Sequence, residues 1–563
     1  MHDLGTPIAI DGARKSRGHM TKTRIQLSLA FAMLLFAIVS GRLIMLGNAV
    51  AEDVQVGQAR PALTATRPAL TDRNGSPLAI DIQVPSLFAE PRRIIDIDEA
   101  VEAIANEFPK MDRDWLRERI DGDEGFVWLK RELTPQQQER ILKLGIPGID
   151  FVSESRRFYP GANVASHVVG TVNLDNVGIS GMERFLDDRE VALLQELGFA
   201  RDRSLEPAAL SIDLRAQHAM HYELSDAMVR YNAIAAAGVL LDVRTGEVIA
   251  LASLPDFDPN VSSSALEEGR INRITAGKFE LGSTFKTLTI AAALDTGLVQ
   301  MTDEFDATKP VRFGRHSIGD FHAKKRVLTL PEVYQYSSNI GTIKIMQAMG
   351  KDRYRSFLTE VGLDGKPQIE LPEKTPSQIA KKFSEVGAAT ASFGHGLSVT
   401  PLQLASAYAA IVNGGDYITP TLVPRDRIAA LATSKKVISE RTSDKMRYLM
   451  RLNALVGSGR KASPDGYRVG GKTGTAEKVV DGKYSDDKTL AVFASAFPMD
   501  APRYAMVILV DEPQKEDEKS GTTAAWNAGA VTGRIIEKVA PMLGIVPNMD
   551  EALDTQLVPI ELQ

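Results

Sequence analysis

Three short segments of this 563-residue chain hold side chains that together can carry out acyl transfer: residues 282–286 (GSTFK), 337–339 (SSN) and 471–475 (GKTGT). Ser283 and Lys286 are three residues apart, so on a helix they share one face and can touch. A serine is a poor nucleophile unless a base takes its proton, and a lysine serves as that base only where burial or a second cation lowers its pKa. The spacing indicates Ser283 as the nucleophile and Lys286 as the general base.

The other two segments supply the remaining catalytic candidates. Lys472 is the second cation that can lower the pKa of the base. Ser337 is suited to relay a proton toward the leaving amine, and the Asn339 amide can hold a lysine or a substrate amide by hydrogen bonds.

Residues 471–475 are also predicted to form an edge strand that binds substrate. Gly474 allows a substrate backbone to approach closely, and the hydroxyls of Thr473 and Thr475 can bind a carboxylate. The backbone N–H groups of Ser283 and Thr475 are candidates for an oxyanion hole. A peptide that ends in a free carboxylate would add to this edge by strand pairing.

The Ser-x-x-Lys pattern alone is weak evidence, because it also occurs at Ser458–Lys461 and Ser485–Lys488. The first of these is predicted to lie in a loop and the second in a solvated turn. Only Ser283 opens an apolar helical run, residues 285–294. The assignment depends on the ordered set of three segments.

Composition excludes several classes of function. The net charge of -6 gives no support for a nucleic-acid partner, and the absence of cysteine excludes thiol catalysis and thiolate metal sites. His218 and His221 have helical spacing without further ligands nearby in sequence, so they are interpreted as surface or core residues. No metal and no cofactor are predicted.

The N-terminal residues predict a membrane anchor. Residues 1–24 are basic, and residues 25–46 are apolar with Arg42 as the only charge. A run of this length can span a bilayer, and the basic flank places the N-terminus in the cytoplasm. The alternative is a cleaved signal peptide, since residues 49–51 (AVA) resemble a cleavage site.

The pattern after the anchor predicts an α+β protein of two domains, residues 47–205 and 206–545, with a C-terminal tail at 546–563. Residues 95–145 are helical in pattern. The second domain holds a helix near 216–231, a strand pair (237–243, 248–253), three later strands (467–474, 490–497, 504–511) and a last helix near 523–543. This order favours an antiparallel sheet with helices on its faces.

With these segments in place, the chain resembles the class B penicillin-binding proteins, the monofunctional peptidoglycan D,D-transpeptidases. The resemblance also rests on four further segments: residues 72–75 (DRNG), 157–161 (RFYPG), 178–183 (GISGME) and 413–415 (NGG). It implies an elongated, β-rich, non-catalytic pedestal domain before a transpeptidase domain of the serine β-lactamase type. It further implies acylation of Ser283 by a stem peptide ending in D-Ala-D-Ala, release of D-Ala, and transfer to an amine of a neighbouring stem. β-Lactams would acylate the same serine.

Within that class the chain is most similar to the division-specific, septal type (FtsI-like), because of residues 472–478 (KTGTAEK) and 511–513 (DEP). This implies a single-pass inner-membrane protein at the septum with its catalytic domain in the periplasm. Implied partners are lipid-linked glycan strands with pentapeptide stems, an FtsW-like glycan polymerase and other division proteins. Leu281, Pro68 and His395 depart from residues common in the family.

Several alternatives stay open at this point. One is an elongation-specific transpeptidase of the same class. A serine β-lactamase or D,D-carboxypeptidase would use the same residues for hydrolysis, although no carboxylate that activates water can be assigned from the sequence. A non-catalytic penicillin-binding receptor or scaffold is the alternative from another class.

Overall fold

The computed structural model describes residues 29–42, 67–188, 206–480 and 483–562. Residues 29–42 form a helix. Within the four described ranges, no helix combines the length and apolar character that crossing a membrane requires. The predicted tail (1–24) and both ends of the predicted anchor (25–28 and 43–46) lie outside these ranges.

Apart from residues 29–42, the described chain divides into two compact units, residues 84–154 and residues 67–83 with 155–562. The predicted domain limit at 205/206 falls at the edge of residues that are not described, so the predicted limits stay predictions.

The unit of residues 84–154 contains three helices and a small sheet. The helices are Ile97–Glu107, Arg113–Ile120 and Pro135–Leu144. Thr134 and Gln137 form the capping box that begins the third helix. The prediction of helix throughout 95–145 is wrong at Val127–Lys130, a strand that pairs with Leu87–Ala89. Its side chains alternate between buried and half-buried, the period of a strand.

The larger unit holds thirteen helices within its described residues. They are Ser166–Val169, Gly181–Leu186, Leu214–Arg230, Phe285–Asp295, Leu330–Gln335, Asn339–Met349, Lys351–Glu360, Glu385–Ala391, Pro401–Val412, Arg427–Ala432, Glu440–Val456, Ala528–Met542 and Ala552–Gln556.

Its strands include a central antiparallel sheet of five. In spatial order these are Gly470–Val480, Lys483–Phe497, Tyr504–Asp511, Ala235–Asp242 and Val248–Leu254. Shorter strands are Leu70–Thr71, Ala208–Ala209, Glu304–Asp306, Val311–Phe313, His316–Ile318, Val327–Thr329, Asp416–Tyr417 and Lys435–Lys436, and the long strands Pro77–Ala89 and Ile149–Phe158 contribute to both units.

Both faces of the central sheet are buried. Along Tyr504–Asp511, Met506, Ile508 and Val510 belong to one apolar cluster, and the residues between them belong to another. The first cluster includes Leu214–Arg230 and Ala528–Met542, and the second includes Phe285–Asp295 and Pro401–Val412. The strands of such a sheet are nearly continuous apolar runs in the sequence. The predicted antiparallel sheet with helices on its faces is confirmed.

Candidate active site

Ser283 lies in a single turn of 3-10 helix, Gly282–Thr284, that leads directly into the helix Phe285–Asp295. Gly282 has a φ of +53°, a left-handed conformation that favours glycine. Gly282 and Thr284 are buried whereas Ser283 is half-buried. Every residue from Phe285 to Leu294 is buried, so this serine begins a helix that runs through the core.

The edge strand of the central sheet lies against this turn, backbone to backbone. A Cβ built on Gly282 would lie 3.1 Å from the carbonyl oxygen of Thr475, and one built on Gly474 would lie 2.3 Å from the carbonyl oxygen of Leu281. Gly470–Val480 has only one neighbouring strand in the five-stranded sheet. The contact therefore brings the nucleophile candidate beside the predicted substrate-binding strand.

Two lysines and one serine meet at the start of the buried helix. Ser337 Oγ accepts hydrogen bonds from Lys286 Nζ and from Lys472 Nζ, each at 3.0 Å. Lys286 Nζ also donates to the carbonyl oxygen of Ser337. Ser337 has a φ of +57°, rare for a residue with a Cβ and typical of backbone held in place by a functional site. Three predicted site residues from three distant segments are thus in direct contact.

Both amines are enclosed, since Lys286 is 1% exposed and Lys472 is 0% exposed. Burial lowers the pKa of Lys286 well below its usual value, and the charge of Lys472 lowers this pKa further, while Asp320 opposes the shift. Burial lowers the pKa of Lys472 to about 7. A neutral amine is therefore accessible at Lys286 near neutral pH, which is the condition for a lysine base.

Asn339 lies at the start of the helix Asn339–Met349, where its Nδ2 donates to the carbonyl oxygen of Gly319 at 3.1 Å. It shares this turn with Ser338, whose Oγ donates to Asp320 Oδ2 at 2.8 Å, and Asp320 Oδ1 accepts from the N–H of Ile340 at 2.9 Å. The amide thus holds a neighbouring loop within the described residues, and neither lysine is its partner there.

Asp320 is a site residue that sequence reasoning missed. It fixes the turn that carries Ser337 and acts on the pKa of Lys286. No motif marks it, because it belongs to a loop eighteen residues before Ser338.

The hydroxyls of the edge strand also have partners. Thr473 Oγ1 is 2.7 Å from Ser458 Oγ, and Thr475 Oγ1 accepts from the N–H of Ala524 at 3.2 Å. Ser458 lies in a turn, as the prediction of a loop has it, and this turn contacts the Lys-Thr-Gly strand. No motif in the sequence predicts that contact.

The carboxylate of Glu280, three residues before Ser283, has several polar neighbours. It accepts from the N–H of Gly396 at 3.1 Å and from Tyr484 OH at 3.3 Å, and it lies 3.7 Å from His395 Nδ1. Burial lowers the pKa of His395, Glu280 raises it, and Lys286 lowers it. His395, noted as a departure from the family pattern, thus interacts electrostatically with Lys286.

Trp526 is 36% exposed, and Lys461 Nζ lies 4.1 Å from its ring centroid.

Among residues 29–42, 67–188, 206–480 and 483–562, no cluster of three or more His, Asp and Glu is placed to hold a metal ion. His221 Nε2 is 2.6 Å from Asp256 Oδ2, a contact consistent with a structural role.

Known proteins match both parts of the chain. Residues 236–533 match the penicillin-binding protein transpeptidase domain, and residues 62–189 match the penicillin-binding protein dimerisation domain. A probable peptidoglycan D,D-transpeptidase FtsI of Caulobacter vibrioides is 37% identical over 84% of this chain and 81% of its own length. The peptidoglycan D,D-transpeptidase FtsI of Escherichia coli K12 is 34% identical over 84% of both chains.

The fold is also that of a solved structure. The crystal structure of penicillin-binding protein 3 of Mycobacterium tuberculosis with aztreonam aligns with a TM-score of 0.66 at 24% identity, over 86% of this chain and 98% of the other. The two family matches, the identity to FtsI proteins and the shared two-domain fold agree. The chain belongs to the class B penicillin-binding proteins, in the FtsI-type branch of the peptidoglycan D,D-transpeptidases.

Proposed function

We propose that this protein is the septal peptidoglycan D,D-transpeptidase of its cell, which cross-links stem peptides through an acyl-serine intermediate. The observation that carries the proposal is the Ser337 hydroxyl, which lies 3.0 Å from the amines of both Lys286 and Lys472. A half-buried hydroxyl between two buried amines of lowered pKa is a path for protons, and a structural scaffold has no need of it.

Acylation begins at Ser283. Its Oγ attacks the carbonyl carbon of the penultimate D-Ala of a donor stem while its proton passes to the neutral amine of Lys286. The oxyanion that forms is stabilised by the N–H groups of Ser283 and Thr475. Collapse breaks the C–N bond, and Ser337 relays a proton to the departing amine of the last D-Ala. The ester on Ser283 is the product of this half-reaction.

Transfer completes the cycle. An amine of a neighbouring stem attacks the ester carbonyl, an amide bond forms, and the Ser283 hydroxyl is regenerated with a proton returned through the same groups. Thr473 and Thr475, with the charge of Lys472, bind the carboxylate of the donor, and Gly474 leaves room for its backbone to pair with the edge strand. Asn339 has its role in holding the turn around Ser337 and Ser338.

The site also accounts for inhibition by β-lactams, which acylate Ser283. The basic and apolar N-terminal residues and the likeness to FtsI proteins support the rest of the proposal: a single-pass protein of the inner membrane, at the septum, with a periplasmic catalytic domain. Its partners there are glycan strands with pentapeptide stems and an FtsW-like polymerase with other division proteins. A uniform distribution of a tagged copy along the wall would favour the elongation-specific type instead.

Labelling of the purified full chain with a fluorescent penicillin tests the nucleophile. The wild type takes up one adduct, which mass spectrometry locates on Ser283, and Ser283→Ala takes up none at an unchanged unfolding temperature. Ser485→Ala is the matched control, because Ser485 belongs to another Ser-x-x-Lys pattern, and it labels normally. Undiminished labelling of Ser283→Ala would reject the assignment.

A further inference from the structure

A cavity of about 220 Å³ lies in the larger unit. The segment 166–181, the residues around 257–276 and Glu373 line it, and none of the eight predicted site residues does. It is smaller than the pockets of about 300–1,000 Å³ that take drug-sized ligands. Its size therefore suits a single sugar residue or one substituent of a larger molecule.

The Asn272 amide presents an unpaired donor in this cavity. Its Oδ1 accepts from the N–H groups of Ile274 at 3.0 Å and Thr275 at 3.3 Å, and these bonds fix which end of the amide is the oxygen. Asn272 is 4% exposed, and its Nδ2 has no partner in the described protein. A buried N–H donor without a partner is costly, so the site is suited to a ligand oxygen.

His167 presents an unpaired acceptor in the same cavity. Burial lowers its pKa to about 4, so the ring is neutral at physiological pH, although the backbone at Pro255 and Ser253 acts to raise this pKa. Its Nε2 is buried with no partner among the described residues. A neutral imidazole carries one N–H, and with that N–H on Nδ1 the Nε2 atom is an acceptor for a ligand N–H or O–H.

The charges around the cavity select a neutral ligand. The half-buried carboxylate of Glu373, which accepts from the N–H of Gly181 at 3.2 Å, disfavours an anion. Burial raises the pKa of Glu373, which weakens its attraction for a cation, and Arg270 is already paired with Glu267 at 2.6 Å. Phe257, edge-on to His167 at 5.1 Å between ring centroids, and Ala276 supply an apolar wall.

We propose that this cavity binds the acetamido group of an N-acetylated sugar of the glycan strand. The acetamido carbonyl accepts from Asn272 Nδ2, its N–H or a neighbouring hydroxyl donates to His167 Nε2, and its methyl group packs on Phe257. A secondary amide is the neutral group that combines a donor, an acceptor and a small apolar end. The inference rests on the proposed function, which supplies an N-acetylated glycan as the material on which the protein works.

The test is a titration of the full chain in detergent with tri-N-acetylchitotriose, followed by saturation-transfer NMR on the acetyl methyl protons. The wild type binds, and maltotriose, a neutral sugar without acetamido groups, binds at least about tenfold more weakly because the Asn272 donor loses its oxygen. A stem pentapeptide without sugar does not compete, which separates sugar acetamido groups from peptide amides.

Asn272→Asp keeps the side-chain oxygen that caps Ile274 and Thr275 and removes the donor, so it weakens binding by about tenfold or more. Asn232→Asp makes the same chemical change at an exposed turn and binds as the wild type. Ala276→Leu adds apolar volume to the cavity lining and leaves Asn272 and His167 in the sequence, and it also abolishes binding, whatever the folding of Asn272→Asp.

No binding by the wild type at 10 mM, maltotriose binding equal to that of the acetylated sugar, competition by the pentapeptide, or full binding by either cavity variant would overturn the proposal. Labelling of Ser283 by fluorescent penicillin is measured on the same samples. If the wild type is labelled but binds no sugar, only the sugar-binding role of the cavity is rejected. If the wild type is not labelled, the proposed catalytic function is rejected.

Discussion

The half-buried Ser337 hydroxyl accepts hydrogen bonds from two buried lysine amines, and the chemistry follows from the closeness of those amines. Two ammonium groups so close together repel each other, and burial penalises each charge. At least one amine is therefore neutral near pH 7, and the pKa of Lys286 is the one lowered by both causes. The protein thus obtains a base from a residue that is charged in water.

Asp320→Asn tests how the pKa of that base is set. The charged groups that act on the Lys286 amine are Lys472, Asp320 and, through its own protonation, His395. Asp320 raises the pKa of Lys286, so removing its charge lowers this pKa further. Since acylation requires neutral Lys286, the acid limb of the rate of penicillin acylation against pH moves to lower pH.

The rate itself falls, because the Asn side chain accepts less strongly from Ser338 and Ile340 and the turn carrying Ser337 loosens. Asp352→Asn, at an exposed helix position, leaves the profile in place. An acid limb that stays or moves to higher pH would contradict the role given to Asp320.

Lys472→Met tests the cost of burying the second amine. The folded-state pKa of Lys472, about 7, lies below the value of 10.5 for a free lysine. The free-energy penalty for burying the charged amine is therefore full below pH 7 and vanishes as the pH rises to 10.5. The penalty is on the order of several kcal/mol, against about 1 kcal/mol lost with the hydrogen bond to Ser337. The variant therefore loses penicillin labelling, and its unfolding temperature at pH 7 rises by a few degrees.

The increase in the unfolding temperature of Lys472→Met becomes smaller as the pH of the measurement approaches 10. A fall in the unfolding temperature at pH 7 would show that the hydrogen bond outweighs the desolvation of the amine.

Spacing along the chain predicts that Ser283, Lys286, Ser337 and Lys472 form one group, and hydrogen bonds join three of them, Lys286, Ser337 and Lys472. Spacing was not enough for Asp320 or Ser458, whose contacts are made by loops. A loop that folds back leaves no periodicity, and its polar residues look like any solvated turn.

At the scale of elements, the site depends on how closely the turn Gly282–Thr284 and the strand Gly470–Val480 approach. Glycines at the contact allow the two backbones to touch. In Gly474→Ala the new methyl group would lie 2.3 Å from the Leu281 carbonyl oxygen and 2.9 Å from Thr284 Cγ2, closer than atoms can pack. The strand must move away from Ser283, and a shift of about 1 Å in such a site costs on the order of a hundredfold in rate.

Penicillin acylation of Gly474→Ala therefore slows by about that factor while the protein stays folded. Gly161→Ala is the matched control, since its Cβ meets nothing within 4 Å and its φ of -79° suits alanine. Wild-type rates in Gly474→Ala would mean that the strand and the turn need not touch.

Elements with local signals were predicted well. The central strands are short apolar runs, a signal carried by neighbouring residues. Two elements were wrong because tertiary pairing overrode local pattern. Val127–Lys130 is a strand only because it pairs with Leu87–Ala89, and the predicted turn at Ser485 belongs to the strand Lys483–Phe497, which pairs along Gly470–Val480.

At the scale of the molecule, a buried ion cluster joins the N-terminal segments of the larger unit. Glu183 accepts from Arg157 Nε at 2.7 Å and from Arg67 Nε at 2.9 Å, and Asp81 accepts from Arg157 at 2.9 Å. The side chains of Arg157 and Glu183 are 0% exposed. The family resemblance marked these segments, but only the fold shows that their charges neutralise one another.

Glu183→Gln breaks this balance and is expected to destabilise the unit that carries Ser283. Removing one partner of a buried ion pair costs about 3–5 kcal/mol, because the remaining charges stay buried without compensation. Glutamine has nearly the shape of glutamate, so packing changes little and the effect reports the lost charge. The temperature at which half of the penicillin labelling is lost should fall by about 6 °C or more.

The control is Glu385→Gln, which breaks the Lys351–Glu385 pair at 2.6 Å, where the side chains are 33% and 64% exposed. Water screens that pair, so the half-loss temperature should change by about 1 °C or less. Labelling at 25 °C should be normal in both variants, because Glu183 touches none of the catalytic residues. Equal effects of the two substitutions would mean that the buried cluster stabilises the larger unit no more than a surface ion pair does. Apolar packing alone would then hold the segments 67–83 and 155–188 in place within that unit.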